Sequence, residues 1–174
     1  MKQLLSLLLC LSIIVPSMAK KEQRKQNVFP DGTPISEWFL QTKVVHPDSL
    51  GKKYDLSDYG IESNPHIVQT QKIQKIIDEA AANGGGVIYI PEGIYKSGSL
   101  FFKQGTHLYL SKGATLLGSE NIMDFPLLMT RIEGEYCKYF GALINADGLD
   151  TFTISGKGTI DGNGTPYWNC LLYT

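Results

Sequence analysis

Residues 99–118, S-L-F-F-K-Q-G-T-H-L-Y-L-S-K-G-A-T-L-L-G, lie on residues 143–162, L-I-N-A-D-G-L-D-T-F-T-I-S-G-K-G-T-I-D-G, without a gap and at an offset of 44 residues. In that register Leu108 meets Phe152, Leu110 meets Ile154, Leu116 meets Ile160 and Gly118 meets Gly162. Few positions are identical; the pattern is what repeats. Short runs with apolar residues at i and i+2 alternate with glycine-containing corners, as in strands that bury one face and then bend sharply. A rung of this kind cannot cover its inner face alone, so it stacks on a similar neighbour. The pattern predicts an all-β chain, the start of a right-handed parallel β-helix.

Outward from this repeat, the pattern predicts strands over 87–90, 94–102, 106–110, 114–118, 142–146, 151–155 and 158–160, with an earlier one over 54–61. Residues 119–141 break the rung pattern and read as an excursion, the kind of segment in which such a fold builds a binding wall. Between Ile67 and Ala82 the period changes. Ile73, Ile76, Ile77 and Ala80 fall at helical spacing, with Gln71, Lys72, Lys75, Asp78 and Glu79 on the other faces. A helix over 67–82 follows, opened by Ser63 or Asn64 with Pro65 and closed by Asn83-Gly84-Gly85-Gly86. Laid over the first rung, this helix caps an otherwise open end. Upstream, residues 20–53 read as an irregular arm with a short helical turn around Ile35, Trp38 and Phe39. The β-helix coils then run over 54–174.

The first residues give an address. Met1-Lys2, an apolar stretch from Leu4 to Val15, and the small residues Ser17 and Ala19 predict a signal peptide over 1–19 and a periplasmic or secreted protein. The apolar stretch is short for a membrane span, so no membrane association is expected after cleavage. Removing Lys2 takes the formal net charge from −1 to −2, which offers no electrostatic footprint for nucleic acid. Cys137 and Cys170 leave both a single disulfide and two free thiols open.

Three segments carry a resemblance. T-Q-K-I-Q-K-I-I-D-E-A-A-A-N-G-G-G-V-I-Y-I-P-E-G-I-Y (70–95), G-S-L-F-F-K-Q-G-T-H-L-Y-L-S-K-G-A-T-L-L-G-S (98–119) and G-K-G-T-I-D-G-N-G-T-P-Y-W (156–168) resemble the N-terminal part of glycoside hydrolase family 28, the polygalacturonases and related pectin-degrading enzymes. The resemblance covers about residues 27–169. It implies a right-handed parallel β-helix, hydrolysis of galacturonan or rhamnogalacturonan with inversion, and no metal or organic cofactor. An inverting hydrolase needs a protonated carboxyl for the leaving oxygen and a carboxylate to activate water. The family supplies these from an N-T-D-type segment and a D-D pair, with a G-H-G histidine and an R-I-K-type pair nearby. None of these motifs occurs here, so no catalytic residue is assigned and the chain reads as a truncated N-terminal portion. The alternatives are a noncatalytic saccharide-binding or tailspike-like β-helix and an inert fragment.

Of the remaining polar residues, Asp161, Asp147 and Asp150 sit at corners, where an aspartate bonds its own backbone. His46, His66 and His107 have no partner at metal-ligand spacing. Asn163-Gly164-Thr165 matches a glycosylation sequon. For a pectic polysaccharide partner, the candidate substrate-binding residues are Arg131, Tyr139, Tyr167 and Trp168, with Tyr136 beside them: aromatic faces stack on sugars and arginine pairs carboxylates.

Overall fold

The computed structural model describes residues 28–40 and 45–167. The expected signal peptide, Trp168 and Cys170 lie outside the described residues. The chain divides into two compact units, 1–42 and 43–174. In the first, Val28 and Pro34 form an antiparallel bridge, a 3-10 turn runs over Glu37–Leu40, and the Trp38 and Phe39 rings stack with centroids 3.7 Å apart.

The second unit includes twelve strands and the 13-residue α-helix Thr70–Ala82. In order these are β1 (Lys53–Asp55), β2 (Asn64–Val68), α1 (Thr70–Ala82), β3 (Gly86–Ile90), β4 (Gly93–Ser97), β5 (Leu100–Phe101), β6 (Thr106–Leu110) and β7 (Ala114–Gly118). There follow β8 (Leu127–Ile132), β9 (Glu135–Phe140), β10 (Ile144–Asn145), β11 (Ile154–Gly156) and β12 (Thr159–Asp161). Three sheets, β1-β3-β6-β11, β5-β10 and β2-β4-β7-β12, are parallel throughout, and β8 pairs with β9 antiparallel. The architecture is that of a β-helix-like fold of stacked parallel rungs.

Alternation along the strands sets the core. Leu108, Leu110, Ala114 and Leu116 point inward and are buried, as are Ile88, Ile90 and Tyr95 from the preceding rung. Each such aliphatic side chain contributes about 1.5–3 kcal/mol relative to exposure. The inward face of α1 adds Ile73, Ile76, Ile77 and Ala80 to the same cluster, against β3, β5 and β6.

Three expectations are corrected. The helix starts at Thr70, not at 67, because residues 64–68 are a strand and the Gln69 N–H donates to the Lys96 carbonyl. Pro65 is accommodated in β2, an edge strand whose register is irregular between Asn64 and Val68. The predicted strand over 54–61 ends at Asp55, whose carboxylate accepts the Ser57 N–H and starts a 3-10 turn over Leu56–Tyr59. The predicted strand over 94–102 bends at Gly98 and Ser99 into β4 and β5.

A fourth correction concerns register. Ile144 opposite Leu100 and Ile160 opposite Leu116 keep the offset of 44, but Ile154 lies opposite Leu108 and Gly156 opposite Leu110. The middle strand has slipped by two residues, and Phe152 packs on Phe102 instead, with ring centroids 4.8 Å apart. The corner before β11 is two residues longer than its counterpart, and the corner after it is two shorter. The short corner, Gly156-Lys157-Gly158, is drawn tightly onto the rung beside it, the Leu110 carbonyl accepting from both Lys157 and Gly158 N–H. A slip of two preserves the faces.

Candidate functional site: an aromatic cleft at the foot of a hairpin

The excursion over 119–141 is an ordered structure. The Ser119 hydroxyl donates to the Asp124 carboxylate, and Asn121 Oδ1 accepts the Met123 N–H to open a 3-10 turn over Ile122–Asp124. The chain then rises as β8, reverses at Glu133-Gly134 and returns as β9. Both turn residues have positive φ, 51° and 96°, as a two-residue hairpin loop requires. At the foot, the Gly141 N–H donates to the Pro126 carbonyl at 2.8 Å.

Between this foot and the corner after β12 lies a cleft of about 230 Å³. Ile122, Phe125, Tyr139, Phe140, Leu143 and Tyr167 line it, with Gly141 and Gly162 completing the wall. Tyr167 is fixed from behind: its Oη donates to the Ser119 carbonyl at 2.8 Å. Burial, reinforced by the Glu120 and Asp124 carboxylates, pushes its phenol above the ordinary range. Tyr139 is 54% exposed. The result is a small apolar recess with one anchored and one accessible tyrosine, an arrangement suited to the apolar face of a sugar ring.

Of the candidate residues, the structure therefore brings Tyr139 and Tyr167 together and leaves Arg131 apart. Arg131 pairs with Tyr136 near the hairpin tip, four residues or roughly 13 Å along β8 from Leu127 at the foot. Its Nε donates to the Gly134 carbonyl at 3.1 Å. Asp161 stands opposite Leu117 and accepts the Asn163 N–H at 2.8 Å, the turn-aspartate role. Asp147 is exposed beside Gly148, and the Asp150 N–H is taken by Gln104. Asn163 donates its side-chain amide to the Gly118 carbonyl, so the sequon asparagine is engaged in the fold. His46 faces Asp48 at 3.1 Å, His66 lies on β2, and His107 on β6 is partly buried, which lowers its pKa. Among the described residues no three His, Cys, Asp or Glu side chains group as metal ligands.

Sequence reasoning missed an ion pair beside this site. The Lys96 side chain, 8% exposed, reaches Glu120 at 2.8 Å. That contact, with a backbone bond and one from Asn163, holds the Glu120 carboxyl down at about 2. It also missed Ile122, Phe125 and Phe140, whose apolar character within the excursion was the available signal, and Leu143 just after it.

Stacked parallel rungs with an aromatic cleft at the foot of an inserted hairpin make up a β-helix-like fold with one candidate binding site. No family model matches the chain. It is 33% identical over 147 residues to the exo-poly-alpha-D-galacturonosidase of Dickeya chrysanthemi, covering 80% of this chain and 24% of that one. It is 37% identical over 129 residues to the plasmin and fibronectin-binding protein A of Streptococcus pneumoniae, covering 72% and 17%. Among solved structures, the family 28 exopolygalacturonase of Yersinia enterocolitica matches with a TM-score of 0.58 and 33% identity over 64% of this chain and 21% of that one. The chain is homologous to family 28-type polygalacturonases and exopolygalacturonases, at moderate identity and over part of their length. It spans a quarter or less of the curated relatives it matches.

Proposed function

We propose that this chain forms the N-terminal coils of a secreted or periplasmic polygalacturonase-type hydrolase acting on galacturonan or rhamnogalacturonan. The observation that carries the reading is the 33% identity to the Dickeya exo-poly-alpha-D-galacturonosidase across 80% of the chain. In this reading α1 caps the first rung, and the Tyr139 and Tyr167 cleft is one wall of the substrate groove. Ile154 and Ile160 are 48% and 43% exposed on the last described rung. The chemistry itself lies elsewhere. Inversion needs two carboxyl groups about 6.5–9.5 Å apart across the scissile bond, whereas Asp161 is engaged in its own turn and Glu120 is paired with Lys96.

Two measurements test this. The purified chain is expected to release no reducing ends from polygalacturonate, and the gene beyond the codon for Thr174 is expected to encode an N-x-D segment followed by a D-D pair. Robust turnover by this chain, or coding sequence continuing without such a segment, would overturn it. The resemblance to the streptococcal plasmin and fibronectin-binding protein favours a second reading, a β-helix that binds protein. Retention on immobilised fibronectin with no response to oligogalacturonides would select it.

A further inference from the structure

The cleft and its surroundings bear on which form of the polymer it holds. None of its lining side chains among the described residues is charged. A galacturonate carboxylate placed there would give up its water without gaining a cation, a cost that burial makes steep. The Lys96 and Arg131 side chains are committed elsewhere. Lys96 is nearly buried against Glu120, and Arg131 bonds the Gly134 carbonyl at the far end of the hairpin. The Glu120 and Asp124 carboxylates that act on the Tyr167 phenol supply no cation to answer an incoming anion.

From the uncharged lining of the Ile122, Phe125, Tyr139, Phe140, Leu143 and Tyr167 cleft, we infer that it selects a methyl-esterified galacturonate residue over the free acid. The inference rests on the pectin-directed reading above. Esterification removes the charge and adds an apolar methyl group, which matches the aliphatic and aromatic wall, while the ring's C–H face stacks on the exposed Tyr139. The cleft volume of about 230 Å³ is of the order of one decorated monosaccharide. A subsite of this kind would place the polymer by its esterified residues and leave free carboxylates for other contacts.

The test titrates the purified chain with one oligogalacturonide preparation in two forms, fully methyl-esterified and saponified, with calorimetry for affinity and amide shifts for location. The ester is expected to bind roughly tenfold more tightly, with the largest shifts at Tyr139, Gly141 and Tyr167. Tyr139→Ala, at an exposed position, should abolish the preference, and Ile122→Lys, which sets a cation in the wall, should reverse it. Equal or tighter binding of the saponified form by the unmodified chain would overturn the inference while leaving the pectin reading intact. So would an ester preference that Tyr139→Ala leaves unchanged. Binding of neither form would overturn both.

Discussion

Gln74 offers a severe test of how the helix is joined to the rungs. It lies on α1, and its side-chain amide imitates the backbone of a neighbouring strand. Nε2 donates to the Phe101 carbonyl at 2.9 Å while the Phe101 N–H donates to Oε1 at 2.8 Å, so one side chain satisfies both ladder groups of a residue in the two-residue strand β5. The second Nε2 proton goes to Asp78 at 3.0 Å, which fixes the amide's orientation. Removing the amide deletes both bonds to Phe101. At about 1 kcal/mol each, with a further penalty of about 1 kcal/mol for leaving backbone groups half-buried and unpaired, Gln74→Ala should cost about 2–3 kcal/mol. The better helix propensity of alanine returns only a few tenths of that. Gln74→Glu keeps an acceptor for the Phe101 N–H but opposes a carboxylate to the Phe101 carbonyl and to Asp78, so its defect should be larger at pH 7 than at pH 4. Urea unfolding gives the stability, and native-state hydrogen exchange reads the Phe101 amide directly. Stability within about 0.5 kcal/mol of the parent, with Phe101 protection unchanged, would show that water replaces the amide and that the side chain does not stand in for a strand.

Gly156 has φ 112°, and a Cβ there would run into the Leu110 carbonyl, so Gly156→Ala should cost roughly 2–4 kcal/mol in urea unfolding. Gly148→Ala, with φ 65° and nothing within 4 Å, should cost about 1 kcal/mol and serves as the control; equal losses would refute the tight corner. For Glu120 the folded carboxyl sits at about 2 against an ordinary 4.5, so its pairing with Lys96 stabilises above pH 4.5 and is lost as the pH falls through about 2. The advantage of the parent over Glu120→Gln, about 1 kcal/mol after solvent screening of this half-exposed carboxylate, should therefore fade between those values, and a gap independent of pH would contradict the ion pair.

What was legible in the sequence is what period alone decides. Leu108, Leu110 and Leu116 alternate, and Ile73, Ile76, Ile77 and Ala80 recur at helical spacing; both sets are buried as their spacing requires. The slip of β11 was not legible, because a corner two residues longer and a corner two residues shorter cancel in the alignment and leave no gap to notice. The helix start was hidden by Asn64 and Pro65, which read as helix-opening residues but serve an edge strand. The hairpin was announced only by Glu133-Gly134, a weaker signal than Asn-Gly for a turn with two positive φ values. That Tyr139 and Tyr167, 28 positions apart, line one cleft is something no local pattern encodes.

The spacing of the rungs explains why the cleft is where it is. Ile88 and Leu108, stacked neighbours, are 20 residues apart, and Tyr95 and Leu116 are 21 apart, so this is the length of an uninterrupted coil. The next coil takes 44 to 46 residues because the excursion over 119–141 is inserted within it. It leaves at Ser119, whose N–H donates to the Ser97 carbonyl, and returns at Gly141, whose N–H donates to the Pro126 carbonyl at the hairpin foot. An insertion that leaves and returns beside one corner does not change which residues face inward, since the alternation on either side is untouched. The rungs are thereby free of the site's demands, and the apolar residues of the excursion, which the core does not need, face one another across the corner instead. A change of specificity in this chain is accordingly expected to come from Ile122, Tyr139 or Leu143 and to leave the register of β6, β7, β11 and β12 as it stands.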